Sequence, residues 1–401
     1  MLRLRKSMTR LHRLLLAGVC LTLMTGCGGQ DDTSPNQRGM IVSVQPLGSY
    51  RAALLKQLLA LYEAPVSLVP RFDVDAYRVV YITEDAKGTL VEASGALFLP
   101  VGVDVLPMIS LQHISQTERS AVASVSPLIF GPDGLLAASF GYAACAPDYL
   151  GFGTSQGMHP YLHAESSANA VMDFVRASRI FCTGEGVTLN GQLFLTGYSE
   201  GAYATLAAQR SMEALPTSEF VITAVSCLSG PYDLEAMAAA ILAAPGRTNE
   251  IYFPFLLVAY DNIYGWNQLD EMFLAPYAGQ IAALFDGTHA FDEIERALPG
   301  TVGNLMSPGF RASFANRTAT NVVAALRENT LFNWRPAAPI RLYHGTADTL
   351  APFANAKAAR DYFSSQPGTS VTLYPVNGAG HEGAIFASID PTFQWFESLR
   401  R

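Results

Sequence analysis

The chain has 401 residues, is 50% hydrophobic and carries a formal net charge of −8. That length buries a sizeable core, as one large α/β domain with insertions or as two smaller domains. The acidic balance excludes a surface that seeks nucleic acid or anionic lipid.

In chain order the first feature is a leader. Arg3, Arg5, Lys6, Arg10 and Arg13 stand in the first thirteen residues without an acid, and the apolar run "LLLAGVCLTLM" (14–24) follows, too short to span a bilayer. It ends in "MTGC" at Cys27, which resembles the lipobox of bacterial lipoproteins, with Met24 where that signal usually has leucine. The resemblance implies a signal peptide of residues 1–26, acylation of the Cys27 thiol, and anchorage by lipid at the bacterial cell envelope without a transmembrane helix. Ordinary cleavage nearby, with Cys27 incidental, is the alternative. Without residues 1–26, 21 basic residues face 34 acidic ones, a net −13. The polar stretch "GGQDDTSPNQRG" (28–39) reads as tether, so residues 27–40 are expected to be flexible. Beyond it only Cys145, Cys182 and Cys227 remain, which allow at most one bridge, show no zinc-site spacing and are expected to be core residues.

From residue 75 onward, short apolar runs alternate with helical patterns, the signature of a mostly parallel sheet with helices on both faces. Eight strands are predicted, at 77–83, 91–100, 107–112, 142–147, 192–197, 220–229, 340–345 and 370–376. Helices are predicted at 166–181, 201–215, 355–366 and 390–401. The alternation breaks between 234 and 336, where aromatic and helical patches such as "YFPFLLVAYDNIYGW" (252–266) predict a helical cap inserted between the two parts of the core, 41–233 and 337–401. Its apolar richness suits either an acyl-binding pocket or the cap's own core.

The most informative stretch is "QLFLTGYSEGAYATLAAQR" (192–210). A strand runs into Gly197-Tyr198-Ser199-Glu200-Gly201 and a helix follows at once, the context in which a sharp turn holds a serine outward at a helix N-terminus. Glycines suit such a turn because side chains there would meet the neighbouring strand and helix. A serine hydroxyl needs a base to take its proton and a carboxylate to orient that base. Downstream of Ser199 stand His289, in the cap, His344, at a strand end, and His381, after the last strand and the small-residue loop "NGAG"; His381 is the candidate base. Asp348, after the strand "IRLYHG", is the candidate acid, with Asp233, after "SGPY", as the alternative; Asp233 otherwise reads as a helix cap. An oxyanion hole needs backbone N–H donors. Glu200, next to the nucleophile, supplies the first, and the loop "SLQHISQTE" (110–118) the second, from Ile114 or Ser115.

Taken together, "GYSEG", "APDYLGFG" (146–153), "YHGTADTLAP" (343–352) and "GAGH" (378–381) resemble the α/β-hydrolase superfamily and, within it, the secretory lipase family that includes fungal lipase A-type enzymes. The resemblance covers roughly residues 75–400. It implies an α/β-hydrolase fold, a Ser199–Asp348–His381 triad, a cap acting as lid, and hydrolysis of ester or lipid substrates through an acyl-enzyme. Family lipases are usually secreted free, so the lipid anchor departs from the pattern. The Asp148-Tyr149 pair in "APDYLGFG" either shapes the pocket or makes a turn. No Walker loop, dinucleotide fingerprint or H-E-x-x-H is present, so no cofactor or metal is expected. A serine peptidase with the same triad, and a catalytically silent envelope lipoprotein that binds ligands or partners, are the competing readings.

Overall fold

The computed structural model describes residues 37–61, 67–216, 218–246 and 251–401. Its sheet has nine strands: β1 Ile41–Tyr50, β2 Val74–Glu84, β3 Leu90–Pro100, β4 Val105–Gln112, β5 Ala143–Pro147, β6 Thr188–Tyr198, β7 Ile222–Leu228, β8 Ile340–Gly345 and β9 Val371–Val376. Their spatial order is β1-β2-β3-β5-β4-β6-β7-β8-β9. The six strands from β5 to β9 are parallel, and β1, β2 and β3 join antiparallel at one side. All eight predicted strands are present. The additional one, β1, carries Pro46 and Gly48 and is largely exposed, as befits an edge strand, so it lacks the apolar alternation that marks the others.

Strand periodicity of two sorts the core into two clusters. Leu193 and Leu195 join one, with Met108 and Cys145, and Phe194 joins the other, with Ile109 and Ala144. The helices Ala52–Leu61 (α1), Pro127–Phe130 (α2) and Pro132–Ser139 (α3) were not foreseen; α3 packs Leu135 and Ala138 into the second cluster. Ala164–Gly184 (α4) and Glu200–Ala214 (α5) cover the opposite face.

Between β7 and β8 the described residues form helices and no strand of the sheet. The longer ones are α6 (Leu234–Leu242), α7 (Tyr252–Tyr264), α12 (Pro308–Ala315) and α13 (Thr320–Glu328), with the short α8 to α11 between Leu269 and Leu305. Helix α7 is buried continuously from Phe253 to Asp261. Phe255 stacks on Tyr161 at 4.5 Å, and the Tyr260 hydroxyl donates to the Leu162 carbonyl at 2.8 Å, so the insertion is bolted to the loop that precedes α4. Two helices follow β8: α14 (Phe353–Ser365) and α15 (His381–Leu399). Helix α15 starts nine residues earlier than predicted and continues through Pro391, where the sequence pattern suggested a start. Its added first half buries Ala384 and Ser388, contacts invisible to a local reading.

The signal peptide and Cys27 lie outside the described residues. The last residues of the stretch read as tether, 37–40, belong to the folded body. Arg38 donates to Asp173, to Glu84 at 2.9 Å and to Asn169 at 2.6 Å, and the Gly39 amide donates to the Ile82 carbonyl. Among the described residues no helix is long and apolar enough to cross a membrane, and Cys145, Cys182 and Cys227 are buried free thiols.

Candidate active site

Strand β6 delivers Ser199 to the carboxyl edge of the sheet, and α5 begins one residue later. The backbone of Ser199 has φ 58° and ψ −121°, a conformation costly for a residue with a side chain and stored at functional sites. Its amide donates to the Leu228 carbonyl at 2.8 Å, and its carbonyl accepts from Ala202 and Tyr203 in the first turn of α5. The two glycines are required by close approach. A Cβ on Gly197 would lie 2.3 Å from the Gly201 carbonyl oxygen, and one on Gly201 would lie 2.0 Å from that of Gln112. Strand β4 and its following loop are thus pressed onto the first turn of α5.

His381 is the first residue of α15, and Asp348 stands in the turn after β8. The two loops are joined by the Ala347 amide, which donates to the Ala379 carbonyl at 3.0 Å. His381 Nε2 lies 2.9 Å from Ser199 Oγ, and its Nδ1 lies 2.7 Å from Asp348 Oδ2. A carboxylate only accepts, so Nδ1 carries the proton and Nε2 presents its lone pair to the serine hydroxyl. The hydroxyl of Tyr198 donates to the His381 carbonyl at 2.9 Å, which steadies the start of α15. Asp348 Oδ1 accepts from the amides of Leu350 and Ala351, both at 2.9 Å. Burial pushes the Asp348 carboxyl up, but the hydrogen bonds from His344 and His381 and their nearby charge outweigh it and hold it at about 2. The acid therefore stays ionised, as an orienting partner must.

The alternatives weighed from sequence fall elsewhere. Asp233 caps α6 by accepting from the Ala236 amide at 3.0 Å, and His289 sits exposed beside Asp286. His344 is fully buried, with Nε2 2.6 Å from the Ala351 carbonyl and 3.3 Å from Asp348 Oδ2, so it backs the acid rather than the nucleophile. The amide of Glu200 is at the first position of α5, where no acceptor exists within the helix. Ile114 follows the Gln112–His113 carbonyls that crowd Gly201. The ring of His113 faces the Ile114 carbonyl at 2.6 Å and stacks on Tyr149 at 4.1 Å. Tyr149 thus props the loop that holds Ile114 and Ser115. Asp148 does not reach the pocket: fully buried, it accepts from the hydroxyls of Ser94 and Ser124, tying its loop to β3.

Over Ser199 and His381 lies a cavity of about 30 Å³. Tyr161 and Leu162 form one wall, Leu350 and Ala351 another, and Met237, Ile241, Tyr252 and Phe253 of the insertion close the top. These four residues of the insertion line the cavity, while Phe255 to Tyr260 of α7 pack into the same core cluster as Leu193 and Leu195 of β6. Tyr161, Leu162 and His159, from the irregular stretch 148–163, were missed from sequence; the only signal was the aromatic-histidine cluster "MHPYLH" (158–163). A wider depression of about 590 Å³, at Arg179, Thr188 and Val221, lies at the opposite ends of β6 and β7 and contains none of these side chains.

The sequence matches the Secretory lipase family over residues 133–239 and 314–399. A comparison with curated proteins found no match. Among solved structures, a variant of the rice cell wall degrading esterase LipA from Xanthomonas oryzae is similar at 26% identity and a TM-score of 0.82, over 90% of this chain and 100% of that one. A putative hydrolase from Legionella pneumophila gives 26% and 0.80, over 90% and 98%. Candida antarctica lipase A in its closed state, 14% identical with a TM-score of 0.66 over 90% and 82%, shares the fold. With its sheet order, its strand-turn-helix at Ser199 and these matches, the chain is an α/β-hydrolase enzyme of the lipase/esterase kind, with its family likeness to the secretory lipases.

Proposed function

We propose that the protein is a serine carboxylic ester hydrolase that works through an acyl-enzyme and is held by lipid on Cys27 at the bacterial cell envelope. The observation that carries the catalytic part is the unbroken line of contacts from Ser199 Oγ to His381 Nε2 at 2.9 Å and from His381 Nδ1 to Asp348 at 2.7 Å. In this mechanism His381 takes the serine proton as Oγ attacks the ester carbonyl, and Asp348 stabilises the imidazolium that forms. The carbonyl oxygen, now an anion, accepts from the amide of Glu200 and from one in the loop after β4, with Ile114 the first choice. His381 then protonates the leaving alcohol. Water, deprotonated by the same ring, releases the acid and restores the serine.

Labelling with a fluorophosphonate and hydrolysis of an aryl-ester series test this reading, with Ser199→Ala as control. Labelling and turnover are expected in the wild type and absent in the variant. A folded wild type that neither labels nor turns over, or a variant as fast as the wild type, overturns the assignment. Turnover of peptide amides in preference to esters would shift it to a peptidase. For the anchor, incorporation of labelled fatty acid and membrane recovery are expected in the full chain and lost in Cys27→Ala.

A further inference from the structure

Glu200 follows the nucleophile, yet its side chain turns inward and is 1% exposed. Its Oε1 lies 2.6 Å from Nε2 of His159, which is also buried, and Nδ1 of that ring lies 2.7 Å from the Leu150 carbonyl. A carbonyl only accepts, so Nδ1 carries a proton; the contact with Glu200 then needs one more, on Nε2 or on the carboxyl. In both cases the pair holds that proton internally and is neutral overall. Phe152 and Phe255 pack their rings around His159, and Glu200 Oε2 has no hydrogen-bond partner among the described residues.

A buried acid beside a histidine is a poor way to gain stability, because desolvation offsets most of the attraction. The ester chemistry does not use its proton either. What the pair does is join two parts of the site. One is the first residue of α5, whose amide faces the reacting carbonyl oxygen in the mechanism above. The other is the stretch 148–163, which has no helix or strand, contains Tyr149 at φ 66° and Leu162 at φ 53°, and supplies Tyr161 and Leu162 to the cavity wall. No strand or helix ladder fixes this segment: Arg119 donates to the carbonyls of Gly151, Ser155 and Gly157, and the His159–Glu200 contact ties it to the first residue of α5 and so sets its distance from the nucleophile. We propose that Glu200 and His159 are positioning residues of the hydrolysis, holding the oxyanion amide and the Tyr161–Leu162 wall in register through the length of their contact. The proposal rests on Ser199 being the nucleophile.

The experiment separates reach from charge. Glu200→Gln keeps the length and can still bond the imidazole; Glu200→Asp keeps the charge but is one carbon short. Both are small changes compatible with folding, which circular dichroism checks. On an aryl butyrate, Glu200→Asp and His159→Phe are expected to lose roughly 10- to 100-fold in kcat with KM within about threefold. Glu200→Gln is expected to lose at least about fivefold less in kcat than Glu200→Asp. Glu200→Asp with wild-type kcat, or Glu200→Gln as slow as Glu200→Asp, overturns the proposal, as does a loss that only tracks the unfolded fraction. The two readings fail differently: if wild type does not react with a fluorophosphonate, the nucleophile is wrong, whereas a labelled wild type with an equally fast Glu200→Asp sinks the positioning role alone.

Discussion

Gly201→Ala tests the tightest contact in the site. Gly201 has no left-handed backbone, so the cost of a methyl group is purely one of space. The new Cβ would lie 2.0 Å from the Gln112 carbonyl oxygen and 2.7 Å from its carbon, where real Cβ contacts stay beyond 3.0 Å. Both are backbone atoms, so no flexible side chain can yield. The end of β4 and the start of α5 must part by about 1 Å. Overpacking of this kind costs about 1–3 kcal/mol, a Tm loss of roughly 1–4 °C for a body of this size. The functional effect is larger, because the two segments that separate carry the nucleophile and the loop with Ile114, and a displacement of about 1 Å costs on the order of 100-fold in rate. Steady-state kcat on an aryl butyrate and a thermal melt measure both. Gly300→Ala, whose Cβ would meet nothing within 4 Å, is the control and should change neither. A Gly201→Ala enzyme within threefold of wild-type kcat and with an unchanged Tm would refute the claim that this contact sets the geometry of the nucleophile.

Asp348→Asn leaves a ring without its orienting acceptor and should lower kcat by about 10³- to 10⁴-fold. Because the Asp348 carboxyl is held below its ordinary range, at about 2, its stabilising effect is fully present above pH ~4 and lost as pH falls towards 2. The stability gap between wild type and Asp348→Asn, measured by urea unfolding, should therefore be constant near neutrality and narrow on acidification; a gap independent of pH down to 2.5 would contradict this. Arg38→Ala withdraws donors from fully buried Asp173, which keeps Thr83 and Arg176, so about 1–3 kcal/mol of stability should go while kcat stays unchanged. A cavity of about 30 Å³ holds roughly one or two waters, which favours short acyl groups; Ile241→Ala should raise octanoyl relative to acetyl ester turnover several-fold, and equal scaling of both would show that Ile241 is not the limiting wall.

Much of the site was legible locally because its logic is local. A strand, a tight turn and a helix within twenty residues identify Ser199, and His381 and Asp348 each follow a recognisable apolar strand. Burial on both faces makes the inner strands apolar runs, and the edge strand β9 still carries Val371, Leu373, Tyr374 and Val376, which is why these were found. Strand β1 escaped because an exposed edge needs no such pattern, and the first half of α15 escaped because Pro391 mimics a helix start.

By itself the sequence determined most of the strands, the strand-turn-helix at Ser199 and the candidate residues Ser199, Asp348 and His381, since periodicity and glycine placement act over a few residues. Only the tertiary structure decided that His159 reaches Glu200 across 41 positions, that His344 backs Asp348, and that Tyr161, Ile241 and Phe253 enclose the serine. Such contacts depend on which loops the sheet order brings to one edge, and no local pattern encodes a distance between segments that meet only after the chain has folded.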